Sequence, residues 1–211
     1  MPFALPAHLT TLLDAVNTCL SAIGVEPVNT VFDNEDIDVQ NALNVLSEID
    51  KEVQSRGWEW NTERDFKLLP DTDGFIFLPN QTLSIDHAYR TGGASFGGTC
   101  NVTERGDRLY DLDNHTYVFT QGISLDFISR LPFEELPEVA RRYIAITAAK
   151  TLQGRFPGSS ASNQVLSEDV ARALVALEQH DDRIADRNVI TQNRTIFGAL
   201  FGRGVRRKNN F

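Results

Sequence analysis

Leu9, Leu12, Leu13, Val16, Leu20 and Ile23 recur three and four positions apart, the spacing of one apolar helical stripe. This predicts a helix over residues 7–23. Gly24 then supplies a left-handed stop, and Pro27 blocks continuation. Val39, Ala42, Leu46, Ile49 and Val53 repeat the pattern and predict a second helix over residues 35–56. Asp33, Asn34, Glu35, Asp36 and Asp38 crowd its start, where acids and Asx side chains cap free N–H groups and suit the helix dipole. Gly57 ends it.

From residue 58 to 130 the period shortens. Apolar runs at residues 66–69, 75–78, 83–85, 108–110, 116–119 and 123–128 alternate with turn signals such as Asp73-Gly74, Gly106-Asp107 and Gln121-Gly122. Short strands between regular turns predict an antiparallel sheet or small barrel. The stretch 91–98 is too rich in glycine for a strand and reads as a loop. The helical period then returns. Val139, Tyr143, Ile146, Leu152 and Phe156 mark a third helix over residues 137–156, with Pro137 at its tolerant first turn. Leu166, Val170, Ala173, Leu174 and Leu177 mark a fourth over residues 163–187.

The predicted class is α+β. Two N-terminal and two C-terminal helices form a four-helix bundle, an antiparallel β lobe is inserted between them, and an extended segment closes the chain. The expected boundaries are 1–57 with 132–187 for the bundle, 58–131 for the lobe and 188–211 for the C-terminal segment. Trp58 and Trp60 are expected to anchor bundle to sheet, with Arg56-Gly57-Trp58 as a structural motif around the helix end.

Charge changes the picture at one end. Five of the 20 basic residues and none of the 29 acids fall in residues 188–211, so that segment carries +5 and the rest −14. An acidic body disfavours non-specific binding to nucleic acid. Ile196, Phe197, Leu200 and Phe201, interleaved with Arg203, Arg206 and Arg207, cannot bury much alone and are expected to order against a partner. A solvated segment and a DNA contact are the alternatives. No apolar run approaches the ~18 residues a membrane helix needs. The start lacks a basic stretch followed by an apolar one, so neither leader nor membrane anchor is expected.

Candidate chemistry is sparse. Cys19 and Cys100 read as unpaired thiols. His8, His87, His115 and His180 are scattered, with no zinc spacing, so no metal and no cofactor is expected. The 91–98 loop lacks the Lys-Ser/Thr of a phosphate loop, and Ser159, Ser160 and Ser162 form no nucleophile elbow. Glu134/Glu135, Asp36/Asp38 and Asp181/Asp182 leave one enzymatic rival, a glycan hydrolase with acids in the β lobe. That chemistry requires two acids facing each other across a sugar.

Several strings resemble the tail tubular protein A family, the head-to-tail adaptors of short-tailed bacteriophages. They are Leu13-Asp14-Ala15-Val16-Asn17, Leu20-Ser21-Ala22-Ile23-Gly24 and Glu26-Pro27-Val28. Asn41-Ala42 then leads to Gln54-Ser55-Arg56-Gly57-Trp58 and Asn61. Arg130-Leu131-Pro132, Leu136-Pro137-Glu138, Arg142-Tyr143-Ile144 and Arg155-Phe156 follow. The likeness covers residues 9–160 and weakens to 187. It implies a non-enzymatic virion protein, assembled in the host cytoplasm into a dodecameric ring. The ring would sit beneath the portal, seat the nozzle of tail tubular protein B near the tail fibres, and pass the genome through its lumen during ejection. Beside that resemblance, the basic segment with Ile196, Phe197, Leu200, Phe201, Arg203, Arg206 and Arg207 is the candidate portal-docking surface. A monomeric adaptor that assembles only on the portal is a further possibility.

Overall fold

The computed structural model describes residues 9–32, 36–86, 101–155 and 160–192. Helix α1 (Leu12–Ala22) starts later than the apolar stripe predicts. Thr11 Oγ1 accepts from the Asp14 N–H at 3.1 Å, and the Asp14 carboxylate accepts from the Thr11 N–H at 2.9 Å. This reciprocal capping box fixes the first turn and leaves Leu9 outside the helix and exposed. At the other end Gly24 has φ +78°. The Val25 N–H reaches Leu20 O and the Gly24 N–H reaches Ser21 O, the paired closure of a Schellman motif.

Helix α2 (Ile37–Gln54) begins at Asp36, whose carboxylate accepts from the Asp38 N–H at 2.9 Å. Helix α3 (Glu138–Arg155) packs against α1, α2 and α4 (Ser160–Gln192). Ala140, Ala145, Ala148 and Ala149 are buried along α3, so its neighbours approach closely on several sides. A central helix of this kind has no single apolar stripe. All four helices feed one apolar cluster, centred on Val16, Leu20, Val45, Leu46, Ile49, Ile144 and Leu152. In α4, which runs past both predicted ends, Ala173 and Leu177 join that cluster, while Val165 and Val175 are exposed.

Among the described residues the β region is two small sheets rather than one. β1 (Thr62–Leu68), β2 (Thr82–Asp86) and β5 (Ile123–Ser129) make an antiparallel sheet in the order β1-β5-β2. β3 (Val102–Arg105) and β4 (Arg108–Asp111) make a hairpin. β3 was not anticipated, because Val-Thr-Glu-Arg lacks an apolar run. Residues 75–78 and 116–119 had been expected as strands. They form only single antiparallel bridges: Phe77 to Arg108, flanked by Leu78 N–H to Asp107 O and Leu109 N–H to Ile76 O, and Asp111 to Thr116. The lobe has its own core of Leu68, Ile76, Ile85, Val102, Leu109, Phe119 and Phe127. The glycine-rich stretch 91–98 lies outside the described residues.

Candidate functional site

The chain passes from helices to lobe at residues 55–62 and returns at 129–132, and a buried polar joint fastens the two crossings. Gly57, at φ +74°, turns the chain out of α2. Trp58 is buried in the helical cluster, its indole N–H donating to Val53 O at 2.7 Å, and it stacks on Trp60 at 6.5 Å between centroids. Arg56 stays outside, its guanidinium 4.0 Å from Glu52.

Asn61, 2% exposed, does most of the fastening. Its Oδ1 accepts from the Trp58 N–H at 2.8 Å, and its Nδ2 donates to Gln54 O at 2.8 Å and Ser129 O at 3.1 Å. Gln54 is fully buried. Its Nε2 donates to Asp50 Oδ1 at 2.7 Å and Leu131 O at 3.0 Å, and its Oε1 accepts from the Leu131 N–H at 2.8 Å. Arg130 donates from Nε and Nη2 to Asp50 Oδ2 at 3.0 and 2.9 Å. The buried polar groups of Asn61, Gln54 and Asp50 have their partners, as burial requires, while the Trp60 indole N–H is buried without one among the described residues. The joint therefore fixes where the lobe stands on the helices.

A second lock holds the front of α1. Arg141, 5% exposed, donates to Leu136 O at 2.8 Å and Thr10 O at 3.0 Å, and to Glu134 O. Glu138 accepts from both the N–H and the hydroxyl of Thr10, and Glu134 from the Leu12 N–H at 2.9 Å. Glu134 thus serves helix docking, Asp36 caps α2, and Asp181 accepts from the Glu59 N–H at 2.8 Å. Each acidic pair singled out in the sequence therefore has a member engaged in local structure. Burial pushes the Asp181 carboxyl above its ordinary value, against the Glu59 hydrogen bond that lowers it. Burial also pushes the Cys19 thiol up to about 12, so it sits neutral in the core. His115 lies at a left-handed turn position with φ +53°. The preceding turn is held by Asp111, whose Oδ1 accepts from the Asp113 and Asn114 N–H groups. Among the described residues no group of three His, Cys, Asp or Glu is placed to hold a metal.

Above the joint a groove of about 560 Å³ opens between α2 and the lobe. Leu43, Leu46, Leu83 and Phe133 line its walls, with Asp50 and Arg130 alongside.

The model of the family described as tail tubular protein matches residues 13–187. That span takes in the four helices, the joint and the lobe. The chain belongs to the tail tubular protein family. It is also 29% identical over 173 residues to tail tubular protein A of Klebsiella phage KP34, covering 80% of this chain and 86% of that one. This tail tubular protein is thus a structural component of a bacteriophage tail. The strings that resembled the family in the sequence converge in space. Gln54, Trp58, Asn61, Arg130 and Leu131 meet in one joint, and Leu136, Glu138 and the neighbouring Arg141 meet in the α1 lock. Asp50 and Arg141 escaped the sequence reading. A buried charge inside an apolar helical pattern was the signal that marks them. Ile196, Phe197, Leu200, Phe201, Arg203, Arg206 and Arg207 lie outside the described residues.

Proposed function

We propose that this chain is the repeating subunit of a dodecameric ring that joins the portal to the tail nozzle and lets the genome pass. The observation that carries this reading is the family match across residues 13–187, which spans helices and lobe together. The charge distribution supports it. Residues 1–187 carry −14, and an acidic lumen repels phosphate, so DNA slides instead of sticking. The polar joint supports it as well, because a ring under ejection load needs a lobe that keeps its angle.

In this reading residues 1–57 with 132–187 form the ring body as a four-helix bundle. Residues 58–131 face the tail tubular protein B nozzle and the fibres. Residues 188–211 dock on the portal through Ile196, Phe197, Leu200, Phe201, Arg203, Arg206 and Arg207. Assembly takes place in the host cytoplasm and the product resides in the virion tail.

Co-purification with the portal, followed by mass photometry, tests the proposal. A complex heavier than the portal by twelve subunits is expected, and removal of residues 193–211 abolishes it. A subunit that stays solitary beside both portal and nozzle, and is missing from the particle's collar, overturns it.

A further inference from the structure

The β3–β4 hairpin buries Val102 and Leu109, which turns Thr103, Arg105, Arg108 and Tyr110 to the other side. Arg105 lies 3.6 Å from the Tyr110 ring centroid. Arg108 lies 5.1 Å from Phe75, 5.8 Å from Phe77 and 5.6 Å from Tyr117. Tyr110 and Tyr117 meet edge to face at 4.8 Å. Stacking holds both guanidinium planes in place while leaving their N–H groups unused. Among the described residues Arg105 has no hydrogen-bond or ion-pair partner, and Arg108 is accompanied only by its chain neighbour Asp107 at 3.5 Å. Phe77 is 47% exposed and Val118 50% exposed. Pre-organised arginines among half-exposed aromatics form a protein-docking surface with carboxylate preference.

The surroundings narrow the occupant. Asp107 flanks the face, and Asp71 holds the Phe75 N–H at 2.8 Å, so the dense charge of a polyphosphate meets more local repulsion than carboxylates spaced along a helix do. Two copies of the face meeting about a two-fold axis would set arginine against arginine. The partner surface must therefore differ from it. α4 presents a fitting one. Val165, Glu168, Arg172, Val175, Gln179 and Asp182 recur three and four positions apart, and all are exposed. That stripe sets Val165 and Val175 beside the Glu168 and Asp182 carboxylates over about 26 Å of helix, and Arg172 between them is turned to its own helix's Asp169.

We propose that the Arg105–Arg108–Tyr117 face of one copy docks on the outward stripe of α4, at Val165, Glu168, Val175 and Asp182, of the next copy. The contact is head-to-tail, as closure of a ring requires, and the inference rests on the ring reading above.

The test reverses the charges in the full chain, with mass photometry in the presence of portal. Arg105→Glu with Arg108→Glu is expected to weaken assembly at least about tenfold, and adding Glu168→Arg with Asp182→Arg is expected to restore it. Arg105→Gln with Arg108→Gln keeps much of the stacked stem and gives a milder loss, which guards against a lobe that fails to fold. A photo-cross-linker at Tyr117 is expected to capture residues 164–185 of a second copy. Intact rings from the reversed variant, or cross-links into portal or nozzle, overturn the docking while leaving the ring standing. Failure of the wild-type chain to assemble overturns the ring reading itself, and this inference with it.

Discussion

The helical body and the β lobe are built on different economies of burial. The body draws apolar side chains from all four helices into one cluster, and its alanines let α3 sit close to each neighbour. Among the described residues the lobe rests on seven buried apolar side chains beneath two small sheets, and a two-stranded hairpin is marginal unless it packs on something. Stability and orientation are therefore supplied from different places. The body holds itself together by packing. The lobe borrows its position from the polar joint and keeps its exposed aromatics for docking.

The largest expected effect separates the two cores. Ile144→Ala opens a cavity in the body and is expected to cost about 4 kcal/mol, lowering Tm by about 12 °C for a chain of this size. Labelling of Cys19, in a Cys100→Ser background, should accelerate with it, because the neutral core thiol reacts only when the body opens. Leu109→Ala is expected to cost about 3 kcal/mol in the lobe and to leave Cys19 protected. If Leu109→Ala speeds Cys19 labelling as much as Ile144→Ala does, the two cores unfold as one and the comparison fails.

Asn61→Ala strikes between them. It leaves the Trp58 N–H and the carbonyls of Gln54 and Ser129 without their side-chain partner. Unpaired buried groups make a loss of about 3 kcal/mol the expectation. Unlike either core variant, it should split chemical unfolding into separate lobe and body transitions, read by near-ultraviolet and far-ultraviolet dichroism. A single shifted transition would mean that packing, not the joint, couples the halves.

Much of the body was legible because a helix writes its period locally. The starts and stops of α2 and α3 fall within two residues of the expectation, since the pattern, Pro137 and Gly57 all act over a few positions. α1 departed because Thr11 and Asp14 form a capping box inside the stripe. The lobe was harder. Phe75, Ile76, Phe77 and Leu78 look like a core strand, yet only Ile76 is fully buried. β3 carries a charged residue at two of its four positions. The joint was half legible. Gln54, Gly57, Trp58 and Asn61 stand together in sequence, but Arg130 meets Asp50 across 80 positions, a pairing no local period encodes.

Two glycines with the same strain and different surroundings sharpen the contrast further. Gly57 and Gly106 both adopt left-handed backbone, at φ +74° and +69°. A Cβ on Gly106 meets nothing within 4 Å, whereas one on Gly57 comes within 2.7 Å of Ile128 Cδ1 on β5. Gly106→Ala should therefore cost about 1 kcal/mol, the left-handed penalty alone. Gly57→Ala should cost about 2 kcal/mol, because it also displaces a lobe side chain. Equal losses in urea titration would show that Ile128 yields freely and that the joint tolerates movement at its α2 side.

The smallest effect concerns the tie between α4 and the joint. Asp181 Oδ1 accepts from the Glu59 N–H at 2.8 Å, and its carboxyl is raised chiefly by burial, with Glu59 and Asp182 adding to it. A carboxyl raised in the folded state binds its proton more tightly there than in the unfolded chain. The stability it contributes is then full below its ordinary value of 3.8 and is lost as pH climbs through the raised folded value. Asp181→Asn keeps an oxygen for the Glu59 N–H and removes the charge. It should give a small rise in Tm at neutral pH, and the difference from wild type should close as the solution is acidified. A fall in Tm at neutral pH would reverse the balance, since it would mean that the ionised oxygen strengthens the Glu59 hydrogen bond by more than burial costs it. α4 would then be held to the joint by charge, and salt, which leaves the apolar contacts of Leu177 untouched, would loosen it.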